Sequence, residues 1–575
     1  MSSSNNVSHH QHDVVIVGAG LAGLRAAFEG ITAGLDTAVL SKVHPLRSHS
    51  CAAQGGVNAA INPDDNWEDH AYDTVKGADF IGDQDAIDLM CQEAPQAVLD
   101  LDAMGCPFSR EDDGTIAQRA FGGANFPRTA YAADRTGHAM LHTLWEQAIK
   151  NGVNVYDEFH VLKVLVDRQR NRVSGVLAYE ISTGKLHVVR GRAVMIATGG
   201  YGRVFSSNTN AMINTGDGIA LALRAGAPAA DLEFVQFHPT GLKTSGLLIS
   251  EGVRGEGAYL IGKDGERFMK KYAPNKLELA SRDVVSRAET LEIMDGNGED
   301  GAVFLDVRHL GKDLIMERLP QIRQLAIDFE GVDPVKEPIP VRPTCHYTMG
   351  GIRANKFGHS YLEGLFTAGE ASCVSIHGGN RLGANSLIEG IVFGKITGKE
   401  MARYVKDEGV SPPQIEPEDI ADVQQEIATL KARPEKGGKR PARLRDRLTQ
   451  AMQEYVGVFR TEETLKEGLK KVKAIRRDFD KIYIDDKSDE FNTDLLGVYE
   501  LRSLIDLAEG TVKAAIERKE SRGAHSREEY PDRDDDNYIK HSLISWNHNR
   551  NGVEIDYDPV RTVDNPRYKP VERKY

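Results

Sequence analysis

This sequence has few cysteines, no long apolar run and fewer positive than negative charges. Its five cysteines are an odd number, which does not fit an even disulfide framework. They include no CxxC pair, so the common iron–sulfur and haem ligation patterns are absent. We therefore expect buried thiols in a reducing compartment. No apolar run approaches the roughly 18 residues that a membrane-spanning helix needs. Any attachment to a membrane is therefore expected to come through partner subunits.

The first twelve residues also lack an apolar stretch, so they resemble neither a signal peptide nor a transmembrane helix. His9, His10 and His12 could suggest a metal site, but we interpret residues 1–12 as a flexible polar tail. Lys and Arg number 71 against 85 Asp and Glu, a net charge of −14. A nucleic-acid surface needs clustered cations, so this balance argues against a nucleic-acid partner.

What the sequence does have is length and glycine. A chain of 575 residues is too long to fold around one compact core, so roughly three or four domains are expected. Its 56 glycines exceed the usual share of about 7%, which indicates backbone packed close to ligands.

A glycine motif near the start of the chain predicts a dinucleotide site. Residues 13–17 form a continuous apolar run, which is typical of a buried parallel strand. Gly18, Gly20 and Gly23 follow at once and open a helix, and a second apolar run at 37–40 completes a βαβ unit. In this arrangement backbone N–H groups reach a pyrophosphate. Ser41 stands where NAD-binding folds have an acid, so NAD is disfavoured, while its hydroxyl could bond an adenosine ribose.

Two distant segments, 193–200 and 364–370, have the pattern of further strands of the same sheet, so a separate domain must be inserted between them. The fold class we predict is α/β: a doubly wound, Rossmann-like FAD-binding domain with an inserted α+β capping domain and a C-terminal helical bundle. Helical spacing is present at 420–430, 444–459, 465–479 and 495–516. The predicted units are 1–232 and 347–411 for the FAD-binding domain, 233–346 for the capping domain, 412–531 for the helices and 532–575 for an extended arm.

The cofactor prediction rests on three segments together. The turns that contain Thr198 and Gly199, and the one that ends at Glu370, resemble the strand-end turns of two-part FAD-binding proteins, in which the acid bonds the ribityl chain. The run 47–56 resembles the segment of succinate dehydrogenase and fumarate reductase flavoproteins whose histidine bonds the flavin covalently, and His49 stands at that position. Further matches to this family of FAD-dependent oxidoreductases are found at 132–138, 237–241, 251–257, 282–285, 344–351, 377–383 and 520–525.

The resemblance implies the roles of individual residues. It implies that the residues binding FAD are His49 through its covalent bond and Gly18, Gly20, Gly23, Ser41, Ser48, Gln54, Gly55, Gly56, Thr198, Gly199, Asp217, Glu370, Asn385, Ser386 and Leu387. It implies that a dicarboxylate, succinate or fumarate, is bound by His238, Ser250, His346, Arg381 and Phe121. Histidine and arginine donors suit carboxylates chemically as well, arginine through its bidentate fork. Serine at position 250 replaces the threonine that is frequent in the family.

The implied reaction removes a hydride from one carbon of succinate and a proton from its neighbour. By resemblance Arg282 transfers the proton, relayed through Glu251 and Arg254. Arginine normally stays protonated, so it suits the acid of fumarate reduction better than the base of succinate oxidation. Gln54 favours the dehydrogenase direction, although the run 342–351 resembles fumarate reductases as closely.

The family also implies partners and a place in the cell. Electrons would leave through an iron–sulfur subunit to a membrane anchor with a quinone site, with the chain peripheral on the cytoplasmic side of the inner membrane or, in a mitochondrion, on the matrix side. One alternative is an L-aspartate oxidase, whose members typically lack the flavin-bonded histidine. The other is a non-catalytic FAD-binding scaffold, which the presence of His238, Glu251, Arg282, His346 and Arg381 disfavours.

Overall fold

The computed structural model of this protein describes residues 7–407 and 414–574. The strands of the described residues are β1 (Val7–Val17), β2 (Thr37–Ser41), β3 (Val57–Asn58), β4 (Gln118–Arg119), β5 (Thr129–Ala130), β6 (Asn154–Asp157), β7 (Phe159–Asp167), β8 (Arg172–Glu180), β9 (Leu186–Ile196), β10 (Ala229–Ala230), β11 (Val235–Leu242), β12 (Tyr259–Ile261), β13 (Val303–Asp306), β14 (Ile339–Thr348), β15 (Gly351–Arg353), β16 (Leu365–Thr367), β17 (Ser372–Cys373), β18 (Lys540–Asn547) and β19 (Gly552–Pro559).

The α-helices of the same residues are α1 (Leu21–Thr32), α2 (Trp67–Gly77), α3 (Gln84–Ala103), α4 (Thr136–Lys150), α5 (Asp217–Arg224), α6 (Glu251–Gly255), α7 (Met269–Tyr272), α8 (Arg282–Met294), α9 (Lys312–Arg318), α10 (Pro320–Glu330), α11 (Asn385–Asp407), α12 (Pro417–Ala432), α13 (Pro441–Tyr455), α14 (Glu462–Phe479), α15 (Thr493–Glu517) and α16 (Asp535–Tyr538). Within the described ranges no helix is both long and apolar enough to cross a bilayer.

The central sheet confirms the predicted doubly wound fold. Its strands run in the order β6-β2-β1-β9-β8-β7, and β16 pairs with β9. The strands β6, β2, β1, β9 and β16 run parallel to one another, whereas β8 pairs antiparallel with β9 and β7 antiparallel with β8. The two distant segments of the sequence therefore do join the first βαβ unit. Continuous burial of Val14–Val17 explains their unbroken apolar run, because both faces of the sheet are covered.

The tail predicted for residues 1–12 is wrong from residue 7 onward; residues 1–6 lie outside the described part. Strand β1 begins at Val7 and pairs with β9 from Leu186 to Gly191. The histidines of this segment join side-chain contacts: His10 Nε2 lies 3.0 Å from His187 Nδ1, and His12 Nδ1 lies 3.0 Å from Asp36 Oδ2. The unbroken polar run at 8–12 concealed this strand, because it shows no alternation of apolar and polar residues.

The N-terminal residues of α11 lie at the edge of the sheet because glycines on α11 let this helix approach α1 closely. A Cβ on Gly394 would lie 2.7 Å from the Ala22 carbonyl oxygen, and one on Gly398 would lie 2.7 Å from that of Ala26. Larger residues at these positions would push the two helices apart.

The inserted region forms an antiparallel sheet in the order β11-β14-β13-β12, covered by helices α6 to α10. It has an apolar cluster of its own, which includes Ile249, Val285, Leu305 and Val341. The α+β character predicted for this region is confirmed, whereas the exact domain boundaries stay predictions.

The C-terminal part is helical, as predicted, but the chain end differs from an extended arm. Helices α12, α14 and α15 cover three of the four segments with helical spacing, whereas α13 ends at Tyr455 and leaves 456–459 of the segment 444–459 outside a helix; the proposed boundary at residues 411–412 lies outside the described residues. Beyond α16, β18 and β19 form a hairpin, and β18 pairs with β10 inside a sheet of the order β17-β15-β10-β18-β19. Buried His541 in β18 shows that this segment is part of the core.

Candidate active site

One continuous cavity opens at the carboxyl ends of the parallel strands and reaches into the inserted domain. Lining residues that the sequence singled out for a cofactor are Gly18, Gly20, Ser41, Ser48, His49, Gln54, Gly55, Gly56, Thr198, Gly199, Asp217, Glu370, Ser386 and Leu387. Lining residues that it singled out for a substrate or for catalysis are Phe121, His238, Ser250, Glu251, Arg282, His346 and Arg381. Residues far apart in the chain, such as Gly18 and Leu387, thus share one site.

The glycine loop leaves no room for side chains. Gly18 has φ +114°, and a Cβ on it would lie 2.2 Å from the Ala197 carbonyl oxygen. A Cβ on Gly23 would lie 1.9 Å from the oxygen of Gly18, so Gly23 serves the packing behind the loop and does not line the cavity. The N-terminus of α1 therefore faces the cavity with bare backbone, which suits a pyrophosphate.

Further polar atoms around the cavity fit a dinucleotide. The buried Oγ1 of Thr198 and Oδ1 of Asp217 have no hydrogen-bond partner among the described residues. Glu370 accepts from the backbone N–H of Thr348 at 3.0 Å, and burial raises its pKa to about 7. The chemistry of this donor and acceptor set fits FAD.

Two predicted cofactor residues are already engaged by the protein. The Ser41 hydroxyl donates to the carbonyl of Val43 at 2.5 Å, although its oxygen can still accept. Asn385 does not line the cavity; its side chain bonds Asn58, and its Oδ1 lies 3.0 Å from His70 Nε2. The position of Asn385 at the start of α11 made it a candidate, but its side chain turns into the packing between helices.

His49 lies in a single 3₁₀ turn, His49–Ala52, in which the Ser48 hydroxyl accepts from the backbone N–H of Ser50. Its Nδ1 accepts from the backbone N–H of Ala211 at 3.3 Å, which fixes the ring orientation and leaves Nε2 as the nitrogen for a group in the cavity. Burial lowers the pKa of His49 to about 4, so the ring is neutral at pH 7. A neutral imidazole nitrogen is the form that can bond an electrophile.

His238 and His346 form a pair at the inner end of the cavity, on neighbouring strands β11 and β14. Their ring centroids lie 5.0 Å apart. His238 accepts from the backbone N–H of Thr240 at 3.2 Å through Nδ1, and its buried Nε2 has no partner among the described residues. His346 Nδ1 contacts the Thr209 hydroxyl at 2.8 Å. Burial, and then Arg282, lower both pKa values well below the usual range, so both rings are neutral donors.

Arg381 supplies a cation opposite the two histidines. Its guanidinium lies 4.5 Å from the centre of the Tyr347 ring, and its buried Nε has no partner among the described residues. Burial lowers the pKa of Arg381 to about 9, with Arg282 adding to the effect, so the group stays charged at pH 7. An unpaired buried guanidinium is suited to an incoming carboxylate.

Ser250 and Phe121 line the cavity between these groups and the predicted flavin region. Ser250 accepts from the backbone N–H of Gly252 at 3.1 Å and so caps α6. A Cβ on Gly55 would lie 2.5 Å from Phe121 Cζ, so the aromatic ring packs directly on the 47–56 segment.

The three residues predicted for proton transfer form a buried chain. Arg282 Nε donates to Glu251 Oε2 at 2.6 Å, and Arg254 Nη2 lies 3.7 Å from the same oxygen. Gly122 donates its backbone N–H to Glu251 Oε1 at 2.7 Å. Burial alone would raise the pKa of Glu251, but Arg282 and Arg254 outweigh it and hold the carboxyl ionised. Arg254 itself does not line the cavity and lies behind Glu251.

Four further residues belong to the site and were missed. Gln236 Oε1 accepts from Arg282 Nη1 at 2.9 Å. Thr209 contacts His346, and Tyr347 packs against Arg381. Lys42 pairs with Asp217 at 2.7 Å. Gln236 directly precedes the 237–241 segment that contains His238, and Tyr347 follows His346 within the 344–351 segment, so adjacency along a strand was the available signal. No comparable pattern marks Lys42, whose partner is far away in the chain.

Comparisons with known proteins agree with this geometry. Residues 13–387 match the family described as FAD binding domain, and residues 445–575 match the one described as fumarate reductase flavoprotein C-term. The chain is 46% identical to the succinate dehydrogenase flavoprotein subunit of Rickettsia conorii, covering 100% of both chains. It is 41% identical to the fumarate reductase flavoprotein subunit of Mycobacterium tuberculosis, covering 98% of this chain and 99% of the other. A solved structure of E. coli quinol fumarate reductase superposes with a TM-score of 0.95 at 41% identity, covering 99% of each chain.

Proposed function

This chain belongs to the family of succinate dehydrogenase and fumarate reductase flavoprotein subunits, FAD-dependent oxidoreductases, and we propose that His238, His346 and Arg381 hold the dicarboxylate while Arg282 moves the proton. One observation carries this assignment. Neutral imidazoles, a free buried guanidinium and a guanidinium–carboxylate pair converge in the cavity that also contains the glycine loop.

When bound, FAD supplies a two-electron acceptor or donor for the hydride, and the protein must handle the substrate and the proton. The residues that would hold FAD are those of the glycine loop, the 47–56 turn, Glu370 and the start of α11. Arg381 and the two histidines anchor the carboxylates, and Ser250 offers a further hydroxyl. Phe121 closes the cavity on the side of the 47–56 segment.

Arg282 is suited to exchange a proton because two opposed effects act on it. Burial lowers its pKa, so its proton leaves more readily than from an exposed arginine, whereas Glu251 partly restores the pKa. In fumarate reduction an N–H bond of Arg282 breaks as a C–H bond forms on the substrate, and Glu251 and Arg254 return the proton. Succinate oxidation runs the same path backwards.

The test is a pair of rates on the FAD-loaded protein. Succinate should reduce a small redox dye, and fumarate should oxidise a reduced viologen. L-Aspartate serves as the control substrate, because an aspartate oxidase would use it and this chain should not. The proposed direction is succinate oxidation, so the dye assay should be the faster. Absence of both activities in protein with full flavin content would leave a non-catalytic scaffold as the better description.

We also propose that FAD is bonded covalently through His49 Nε2. The support is the neutral ring, the fixed Nδ1 and the position of the side chain in the cavity. Denatured protein should keep yellow flavin fluorescence on a gel, and His49→Ser should lose it. His44→Ser is the matched control, since His44 is exposed and does not line the cavity. Flavin that separates from denatured wild-type protein matured in its own host would contradict the bond.

Finally, we propose an iron–sulfur subunit and a membrane anchor with a quinone site as partners, with this chain peripheral on the cytoplasmic side of the inner membrane, or on the matrix side in a mitochondrion. Similarity to quinol fumarate reductase, whose name includes the quinol, supports this. The isolated chain should reduce dyes but not quinone, and adding both partners should restore quinone activity. Rapid direct quinone reduction by the isolated chain would contradict the proposal.

A further inference from the structure

The two histidines at the inner end of the cavity differ in what holds their Nδ1 atoms. His238 Nδ1 accepts from the backbone N–H of Thr240 at 3.2 Å, a contact that does not depend on the identity of a side chain. His346 Nδ1 lies 2.8 Å from the hydroxyl of Thr209. Among the described residues this hydroxyl is the only hydrogen-bond partner of the His346 ring. The ring of His346 therefore depends on one side chain.

Thr209 reaches His346 because its segment of the chain runs alongside β14. The Thr209 N–H donates to the carbonyl of Cys345 at 2.9 Å, and the Cys345 N–H donates to the carbonyl of Ser207 at 3.1 Å. One residue further, Asn210 Nδ2 donates to the carbonyl of His346 at 3.0 Å. These bonds hold the segment on both sides of Thr209, which is 7% exposed. The hydroxyl is thus fixed opposite the imidazole.

The direction of this hydrogen bond follows from the surroundings of the hydroxyl. A hydroxyl can donate or accept, but a buried hydroxyl proton needs an acceptor. Within the described ranges the Thr209 hydroxyl has no hydrogen-bond partner other than His346 Nδ1. Burial, and then Arg282, lower the pKa of His346 well below its usual range, so the ring is neutral and one of its nitrogens can accept. The hydroxyl therefore donates to Nδ1, and the ring proton is on Nε2.

The position of the ring proton decides how His346 meets an anion. With Nδ1 engaged by Thr209, Nε2 is the nitrogen left for a group in the cavity, which His346 lines. An Nε2–H can donate to a carboxylate, whereas a bare Nε2 would turn its lone pair toward the carboxylate oxygens. A ring with its proton on Nδ1 would then repel the same ligand that Arg381 attracts.

We propose that Thr209 is a positioning residue for the substrate, whose hydroxyl holds His346 in the orientation and tautomer that present Nε2–H to a carboxylate. This role rests on the dicarboxylate-binding function proposed above for His346. Thr209 sets the affinity for the dicarboxylate and leaves proton transfer alone, because the Arg282–Glu251 pair makes no hydrogen bond to it.

The same segment also touches the predicted flavin attachment, but through backbone. The N–H of Ala211 donates to His49 Nδ1 at 3.3 Å. A change confined to the Thr209 side chain leaves this N–H in place. Flavin content should therefore stay at the wild-type level when Thr209 is replaced, which separates an effect on substrate binding from an effect on the cofactor.

Thr209→Val in the FAD-loaded protein is the central variant, because valine keeps the shape and replaces the hydroxyl by a methyl group. Malonate is the probe: its carboxyl groups are separated by one carbon, so it cannot be dehydrogenated, and its Kd is read from the flavin absorbance. The Kd for malonate and the KM for succinate should each rise about tenfold, the worth of one modest hydrogen bond, with kcat largely kept. Thr209→Ser restores the hydroxyl and should recover most of the affinity.

Thr344→Val is the matched control for packing. The Thr344 hydroxyl lies 3.4 Å from Ser207 Oγ, at the same junction between the segment and β14, but Thr344 neither contacts the His346 ring nor lines the cavity. This variant should keep the wild-type Kd for malonate. An equal loss of affinity in Thr344→Val and Thr209→Val would assign the effect to packing and overturn the role of the hydroxyl.

A double-mutant cycle tests whether Thr209 acts through His346. In a His346→Gln background, Thr209→Val should weaken malonate binding by less than about twofold, because the two residues act as a unit. Nitrogen NMR of protein containing ¹⁵N-labelled histidine should show His346 with a protonated Nε2 and a bare Nδ1, its signals being those that His346→Gln lacks. This readout does not need Thr209→Val to fold.

The results separate the failure of this role from the failure of the proposed function. Unchanged malonate affinity in Thr209→Val, an effect fully additive to that of His346→Gln, or a wild-type ring proton on Nδ1 would each overturn the role of Thr209. If His346→Gln itself binds malonate like the wild type, the proposed anchor fails and the role of Thr209 fails with it. If His346→Gln weakens binding and Thr209→Val does not, the anchor stands and only Thr209 loses its role.

Discussion

Replacing Arg282 by glutamine removes the proposed proton donor and half of a buried ion pair. Arg282 is 5% exposed and Glu251 1%, and their contact of 2.6 Å is the shortest link of the path. Glutamine keeps hydrogen-bonding capacity and much of the side-chain length but has neither charge nor an acidic proton. The variant therefore separates proton transfer from simple packing.

The expected kinetic loss follows from the role of the group. General acid catalysis contributes about 10²- to 10⁴-fold, which corresponds to roughly 2.7–5.4 kcal/mol in the barrier. The loss should appear in kcat in both directions, because the same proton is transferred in each. Substrate affinity should be largely kept, since Arg381, His238 and His346 still bind the carboxylates.

Folding stability should fall less than for an ordinary broken buried pair. Removing one partner of such a pair typically costs about 3–5 kcal/mol, because a buried charge is left alone. Here Glu251 keeps the N–H of Gly122 at 2.7 Å and Arg254 at 3.7 Å. We therefore expect a loss of about 1–3 kcal/mol, and the flavin should stay bound.

Steady-state assays with succinate and a dye, and with fumarate and a reduced viologen, measure the kinetic effect. Denaturant unfolding measures the stability. Arg282→Lys should recover part of the rate, since lysine has a transferable proton but a different geometry. Arg287→Gln, on the same helix, is the matched control, because Arg287 pairs with Asp283 outside the cavity. A near-normal kcat with a raised KM in Arg282→Gln would identify Arg282 as a carboxylate anchor and refute the reasoning.

Three further predictions follow from local geometry. Gly18→Ala should abolish flavin binding, measured by absorbance of the purified protein, because φ is +114° and the new Cβ would lie 2.2 Å from a carbonyl oxygen. Asp134→Ala should destabilise the protein by about 1 kcal/mol in denaturant unfolding, because the Asp134 carboxylate caps α10 through two backbone N–H groups; unchanged stability would contradict this. Burial alone would lower the pKa of His541, but Asp231 and Asp83 outweigh it and raise it to about 9. This folded-state pKa exceeds the usual 6.5, so protonated His541 stabilises the folded state by about 3 kcal/mol at most. The stabilisation is complete below about pH 6.5 and is lost as the pH rises toward 9. Unfolding curves across this range should show the loss in the wild type, and His541→Gln should flatten it.

Local patterns were enough for the elements that build the site. The apolar run before Gly18 and the glycines after it identify a strand, a turn and a helix, because each feature depends on neighbours in sequence. Helical spacing located α12 to α15 for the same reason. The 47–56 segment predicted the family, which the comparisons confirm, whereas the covalent bond through His49 stays a proposal.

Two predictions from local sequence pattern were wrong because the tertiary environment of the residues differed from what the pattern indicates. Residues 7–12 are polar and read as a tail, yet strand pairing with β9 and partners such as His187 and Asp36 make them part of the sheet. Asn385 begins a helix beside the cavity, yet its side chain packs toward Asn58 and His70. In each case the direction of a side chain depended on a distant segment.

The sequence by itself determined the fold class, the cofactor type and the family, because each can be recognised from short runs of adjacent residues. The tertiary structure alone decided which groups act on one another. Arg282 meets Glu251 across 31 positions and Gln236 across 46, because the fold brings α8, α6 and β11 together. Burial and charge pairing set the protonation of these groups, and both depend on packing that no short stretch of sequence specifies.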